Sequence, residues 1–102
     1  MKVVWTPLAV DRVATIAQFI AQDNPPAAQQ WVVRIFAAAK QVARFPKSGR
    51  IVPEVGRTAI REIVWRNYRI VYRLEQAHVA ILTVQNTKQL LPTDDLAADA
   101  RH

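Results

Sequence analysis

The side chains best suited to chemistry on an anion lie close together in the second half of the sequence. The stretch WRNYRIVYRL, residues 65–74, carries three arginines among aromatic and β-branched residues. The candidate set is Arg61, Glu62, Arg66, Arg69, Arg73, Asn86 and Lys88. Guanidinium and ammonium groups bind carboxylates and phosphates, and a carboxylate can serve as a general base. The set therefore predicts a site for an acidic protein segment or a nucleic acid.

Positive charge is concentrated in the same region. The chain has 102 residues and a formal net charge of +6, and eight of its 14 basic residues but only two of its eight acidic ones lie between 44 and 73. Such a block attracts an anionic partner, whereas scattered, solvated charge would explain the composition equally well.

Several other kinds of site are not expected. The chain has no cysteine, and His78 and His102 are too far apart in sequence to suggest a metal-ligand set. With only two glycines it has no glycine-rich phosphate loop, and no Ser-His-Asp combination stands out. We therefore expect no metal and no cofactor.

Two helices are predicted in the first half. A short strand at 2–5 precedes Thr6-Pro7, which suit the N-cap and first position of a helix. Apolar residues recur at three- and four-residue spacing along 7–22 and again along 25–44. The short Asp-Asn-Pro-Pro link between these segments predicts an antiparallel helical hairpin.

Three strands are predicted after an irregular basic segment that runs to residue 58. They span about 60–65, 68–75 and 79–86, and their short links predict an antiparallel meander. A two-residue turn at Arg66-Asn67 would pair Trp65 with Tyr68 and Ile63 with Ile70. Tyr68, Ile70, Tyr72 and Leu74 would then face the helices.

The arginines of this meander are predicted on the other face, which the helices leave uncovered. Arg69 and Arg73 would lie there with Glu62 diagonal to both and Asn86 near Arg69. An ordinary cross-strand ion pair on a wet sheet is the alternative. However, the basic residues nearby outnumber the one acid, Glu62, so this face is expected to remain positive after pairing.

The predicted fold class is α+β. An N-terminal strand would be followed by an antiparallel helical hairpin that packs on one face of a mainly antiparallel sheet of about four strands, in the order β-α-α-β-β-β. Residues 1–92 are predicted to form a single domain, and 93–102 an acidic tail. The sequence contains no signal-peptide pattern and no apolar run near the roughly 20 residues of a membrane helix, so we expect a cytoplasmic protein.

Three motifs then suggest a family. FPKSGR at 45–50, IREIV at 60–64 and NYRIVYR at 67–73 stand in the order expected of the strand, hairpin and meander. Over about residues 3–92 the sequence resembles the RelE/ParE toxins of type II toxin–antitoxin systems. Where that family commonly ends its last strand with a histidine and then an arginine, this chain has Asn86 and Lys88.

The resemblance implies a growth-arresting toxin of a plasmid-stabilisation module. A cognate antitoxin of the ParD or RelB type would neutralise it in a hetero-oligomer. The residues predicted to bind the antitoxin or the target are Arg61, Arg66, Arg69, Arg73, Asn86 and Lys88. The ParE branch inhibits DNA gyrase by binding, whereas the RelE branch cleaves ribosome-bound mRNA. A third alternative is a structural module with no toxic action.

Departures from the RelE pattern favour the ParE branch. Ile60 and Glu62 stand where RelE carries lysines, and the amide of Asn86 cannot shuttle a proton. If the chain were an enzyme, it would be a metal-independent endoribonuclease with Arg69, Glu62 and Lys88 as its catalytic residues. We expect instead a toxin that binds its target without cleaving it.

Overall fold

The computed structural model describes residues 1–88 and 91 of the chain. Its elements are β1 (Lys2–Trp5), α1 (Pro7–Asp23), α2 (Pro25–Arg44), β2 (Arg50–Ile51), β3 (Ile60–Trp65), β4 (Tyr68–Leu74) and β5 (His78–Asn86). Both helices and the three-stranded meander lie within a residue or so of their predicted bounds. The predicted tail at 93–102 lies outside the described residues, so the division of the chain at residue 92 stays a prediction.

One mixed sheet carries the strands of the described residues, in the spatial order β1-β5-β4-β3-β2. β1 pairs parallel with β5, and the remaining pairs are antiparallel. The α+β class and the mainly antiparallel sheet are confirmed, but the sheet has five strands where about four were predicted. The additional strand, β2, is only two residues long and lies within the segment predicted to be irregular.

Side-chain caps fix the beginning of each helix. The Thr6 hydroxyl accepts a hydrogen bond from the Ala9 N–H and donates one to the Ile81 carbonyl, at 3.2 and 2.8 Å. The Asn24 side-chain oxygen accepts from the Ala27 N–H at 3.2 Å. Each cap satisfies an N–H that the first turn leaves unpaired. Thr6 also ties the start of α1 to β5, and thus orients the hairpin on the sheet.

The main core lies between the helices and the side of the sheet that we call the helix face. Ile35 of α2 and Ile70, Tyr72 and Ile81 of the sheet are fully buried there. Predicted apolar stripes account for this packing: Val13 of α1 is buried and its stripe neighbours are partly buried against the same core. Leucine- or isoleucine-sized side chains removed from water contribute about 1.5–3 kcal/mol each.

The β3–β4 hairpin has the predicted register, with Trp65 opposite Tyr68 and Ile63 opposite Ile70. The β4–β5 pairing differs from the prediction, because the register shifts between Val71 and Tyr72. This bulge places Asn86 opposite Tyr68, on the helix face, and Gln85 opposite Arg69. The prediction that Asn86 lies beside Arg69 is therefore wrong, since one extra residue in a strand exchanges its two faces.

The opposite side of the sheet, here the second face, is also covered. Val52, Val55 and Leu91 pack on a small apolar cluster formed by Ile60, Val71, Ala80 and Leu82. The segment 52–57 that follows β2 thus covers the face that the helices do not. The prediction of an open second face is wrong.

Candidate functional site

Arg69 is the centre of a buried ion cluster on the second face. Its Nε donates to Glu62 Oε1 at 2.5 Å, and its two terminal nitrogens donate to the two oxygens of Glu54 at 2.7 and 2.9 Å. Only 7% of the Arg69 side chain is exposed, and none of the Glu62 side chain. This bidentate geometry is the strongest way for a guanidinium to hold a carboxylate.

A second arginine completes what we call the Arg69 cluster, which consists of Arg50, Glu54, Glu62 and Arg69. Arg50 Nε donates to Glu62 Oε2 at 2.5 Å, while 63% of the Arg50 side chain remains exposed. Two arginines and two carboxylates give the cluster no net formal charge. The expectation that this region stays positive after pairing is wrong for Arg69, because Glu54, 15 residues away in sequence, supplies a second carboxylate.

The cluster has clear electrostatic consequences. Hydrogen bonds from Arg69 lower the pKa of Glu54 from 4.5 to about 2, although partial burial opposes the shift. The same bonds to Glu54, with those to Glu62, raise the pKa of Arg69 above its already high value. Each partner thus favours the charged form of the other. Glu62 and Glu54 together accept hydrogen bonds from three of the five N–H donors of Arg69, one on each of its three nitrogens.

Glu54 also connects the cluster to the chain after β5. Its Oε2 accepts the backbone N–H of Leu91 at 3.3 Å, and Leu91 is buried against the second face. Arg69 therefore holds two segments to the sheet through Glu54. Its observed role is to fix the cover of this face.

Arg61 holds a different segment, the turn between α2 and β2. Its Nη1 donates to the carbonyls of Lys47 and Gly49 at 3.3 and 3.0 Å, and its Nε donates to the Thr58 carbonyl at 3.1 Å. These contacts use carbonyl acceptors of its own chain. Part of the guanidinium's donor capacity is thus used in the fold.

Tyr72, which faces the core as predicted, stabilises the same turn. Its hydroxyl donates to the Pro46 carbonyl at 2.6 Å and accepts the Gly49 N–H at 3.1 Å. Burial raises the pKa of this phenol. A Cβ on Gly49 would lie 2.3 Å from the Tyr72 oxygen, so only glycine fits there.

The remaining predicted residues do not converge with Arg69. Arg73 Nε donates to Glu75 at 2.7 Å. Arg66 is exposed in the β3–β4 turn at φ 56°, with its guanidinium over the Trp65 ring at 4.9 Å. Lys88 is exposed after β5, and its backbone N–H donates to the Asn86 side chain at 2.9 Å. Whether these residues bind a partner stays a prediction.

Two clefts on the helix side were not predicted. The Phe19 cleft, of about 340 Å³, lies between α1 and the end of the sheet. It is lined by Arg12, Thr15, Ile16, Phe19, Tyr68, Val84, Gln85 and Asn86. Phe19 itself is 71% exposed, which is unusual for a large aromatic residue on a helix already packed against a core.

The Trp65 cleft, of about 420 Å³, lies between α2 and β3. Its lining consists of Arg34, Ala37, Ala38, Gln41, Ile63, Val64 and Trp65. Both clefts are mainly apolar with one arginine and no carboxylate. The available sequence signal was Phe19, a large aromatic residue three positions after the partly buried Ile16.

Two negative observations apply to residues 1–88 and 91. They contain no group of three or more His, Cys, Asp or Glu side chains placed to hold a metal ion. Neither described helix is long and apolar enough to cross a membrane.

Comparison with known proteins places this architecture in a family. The family model described as the ParE toxin of the type II toxin–antitoxin system parDE matches residues 3–91. The putative toxin Y4kP of Sinorhizobium fredii is 38% identical over 91 residues, covering 86% of this chain and 90% of that protein. Toxin RelE2 of Caulobacter vibrioides is 31% identical over 90 residues, covering 87% and 98%.

A solved structure shows the same fold. The chromosomal ParDE toxin–antitoxin system from P. aeruginosa contains a chain that matches with a TM-score of 0.71 at 18% identity, over 84% of this chain and 95% of that one. The family match spans most of the sequence, and two relatives exceed 30% identity over most of their length. The chain therefore belongs to the ParE toxin family of type II toxin–antitoxin systems, whose toxins have an antitoxin as partner.

Proposed function

We propose that this toxin arrests growth by binding DNA gyrase and not by cleaving mRNA, and that a cognate antitoxin neutralises it. The observation that carries the proposal is the Arg69 cluster. A ribonuclease site needs a free cation for the scissile phosphate and a free base for the 2′-hydroxyl. Here the two side chains that would supply them, Arg69 and Glu62, bind each other and are almost fully buried.

The candidate general acids within the described part of the chain also lie away from this pair. Asn86 lies on the helix face, and its amide does not titrate near neutral pH, so it cannot act as a general acid. The Tyr72 hydroxyl is buried and bonded on both sides to the α2–β2 turn. Lys88 is exposed beyond the end of β5, whereas Glu62 lies in the middle of β3. Among the described residues, these groups do not assemble around one reacting atom.

We place the antitoxin on the helix side, where apolar surface is open. Phe19 and Val33 are 71% and 69% exposed, and one arginine lines each of the two clefts. An amphipathic segment that carries acidic residues fits such a surface. Of the predicted binding residues, Arg66, Asn86 and Lys88 remain accessible for this contact, while Arg61 and Arg69 hold the fold.

Two assays on the purified toxin test the proposed target. Inhibition of gyrase supercoiling together with intact ribosome-bound mRNA is the expected result. An Asn86→His variant is a useful addition, because it supplies the titratable side chain that the mRNA-cleaving relatives have. We expect it to remain inactive on mRNA while Arg69 is buried. Full supercoiling beside clean cuts in the message would contradict the proposal.

A further inference from the structure

The outer edge of β3 is only partly paired. β2 covers it at Arg61 and Glu62, and the Val52 N–H extends this pairing to the Ile60 carbonyl at 3.2 Å. From Ile63 to Trp65, no strand of the described chain lies beside this edge. Val64, in the middle of that stretch, is 55% exposed. The sheet therefore ends in a short open edge.

The fold itself explains why β2 stops so early. A longer β2 would have to continue past Gly49 towards Val64. Instead, Tyr72 and Arg61 bind the carbonyls of Pro46, Lys47 and Gly49, and this draws the chain away from the edge towards the end of α2. Gly49 lies so close to β3 that an added Cβ would be 2.7 Å from the Glu62 carbonyl.

The hydrogen-bond pattern identifies which groups are free at this edge. In an antiparallel pair, residues alternately direct their N–H and C=O towards one neighbour and then the other. Trp65 and Tyr68 close the hairpin, and at its far end Leu74 N–H binds the Ala59 carbonyl at 2.8 Å. The odd-numbered residues of β3 therefore direct their backbone N–H and C=O groups to β4. Val64 points its N–H and C=O outward.

The Trp65 cleft adjoins the same edge. Ile63 and Trp65 lie on the helix face. In an added strand, the residues immediately before and after the one opposite Val64 would point to that same face, so their side chains would enter this cleft. Arg34 lines the cleft, and exposed Arg66 lies next to Trp65 in sequence. No carboxylate lines the cleft, so its electrostatics favour an acidic partner.

We propose that an extended segment of the antitoxin adds a short strand to β3 at Val64. The segment places an apolar side chain in the Trp65 cleft and a carboxylate within reach of Arg34 or Arg66. Main-chain bonds to Val64 give affinity, and the cleft gives specificity, as in other cases of strand addition. This inference rests on the proposed function only in taking the antitoxin as the partner.

Removal of the Val64 N–H tests the proposal. Proline is tolerated at an edge position whose N–H is unpaired, so Val64→Pro should fold and should melt near the wild type. The probe is the polypeptide encoded beside the toxin gene, titrated by fluorescence anisotropy. We expect Val64→Pro to weaken binding roughly tenfold or more, and the matched Val64→Ala, which keeps the N–H, to change it about twofold or less.

Two further measurements keep the test decisive if Val64→Pro fails to fold. Ala37→Phe fills the Trp65 cleft and should weaken binding, whereas Ala14→Phe on the exposed side of α1 should not. The Val64 amide should exchange with solvent quickly in the free toxin and slowly in the complex. Fast exchange in the complex, or full affinity of Val64→Pro, would overturn the proposal. A wild-type toxin that leaves gyrase active would refute the proposed function without altering these results.

Discussion

The two faces of the sheet use polar and apolar side chains in opposite ways. On the helix face the apolar residues of the sheet form the core with the helices. Exposed apolar residues of the helices, such as Phe19, are accessible to a partner. On the second face the apolar cluster is small, and charged residues hold its cover. Charge in a toxin of this family therefore does not by itself mark a binding surface. Here the most buried arginine supports the fold, and the accessible apolar side is the better candidate for recognition.

Of the substitutions that test this contrast, Arg69→Met should have the largest effect on the free energy of unfolding. It removes the buried partner of Glu62, whose side chain is fully buried and would keep its bond to the largely exposed Arg50, and the loss of a buried partner costs about 3–5 kcal/mol. Urea unfolding should show this decrease in the free energy of unfolding. Arg34→Met, on the exposed side of α2, is the control and should have little effect. Adding Glu54→Gln and Glu62→Gln to Arg69→Met should restore part of the loss. Equal stability of the two single variants would mean that the cluster does not hold the second face.

The next test compares the two glycines. Gly49→Ala forces a Cβ against the Tyr72 oxygen and the Glu62 carbonyl, and overpacking of this kind costs about 1–3 kcal/mol. Gly56 has φ 70° with no atom within 4 Å of an added Cβ, so Gly56→Ala carries only a conformational cost of about 1 kcal/mol. Thermal unfolding should rank Gly49→Ala as the less stable variant. The reverse order would show that the α2–β2 turn can shift away from β3.

Glu54→Gln tests the contribution of the bidentate pair through its pH dependence. The pKa of Glu54 is lowered from 4.5 to about 2, so its charge stabilises the folded state fully above about pH 4.5, and this contribution is lost as the pH falls towards 2. The difference in unfolding free energy between wild type and variant should be largest near neutral pH and should narrow in that window. Gln22→Ala, an exposed change without a titrating group, should follow the wild-type profile. A pH-independent difference for Glu54→Gln would indicate a purely steric effect.

Phe19→Ser should have the smallest effect on stability and a selective effect on binding. Because 71% of Phe19 is exposed, its loss should leave the melting temperature nearly unchanged. If the helix side receives the antitoxin, affinity should fall by about tenfold, as for an exposed aromatic anchor. Phe45→Ser, which removes a 60% exposed ring from the turn after α2, is the matched control. Equal affinities would place the antitoxin elsewhere.

Much of the fold could be predicted because its signals are local. Thr6 and Pro7 begin α1 as predicted, and the register of Trp65 with Tyr68 follows from a two-residue turn. The bulge between Val71 and Tyr72 has no such signal, since the residues around it are mainly apolar in both strands. For this reason the β3–β4 pairing was predicted correctly, whereas Asn86 was predicted on the wrong face.

The candidate site was less predictable, because its key partner lies far away in sequence. Glu54 reaches Arg69 across 15 residues, from a segment that was treated as an irregular basic loop. Val52 and Val55 lie on either side of Glu54 in sequence, and these apolar residues indicate that the segment packs on the sheet. Likewise, Val71 and Leu82 on the second face indicated that something must cover it.

The sequence alone determined the helical hairpin, the order of its elements, the helix-facing side of β4 and the resemblance to ParE toxins, because caps, periodicity and short motifs act over a few residues. Only the tertiary structure decided which charges are accessible. Whether an arginine reaches solvent depends on which distant loop folds over it, and here Glu54 does so for Arg69. The same long-range packing, through Tyr72 and Gly49, leaves the edge of β3 open at Val64.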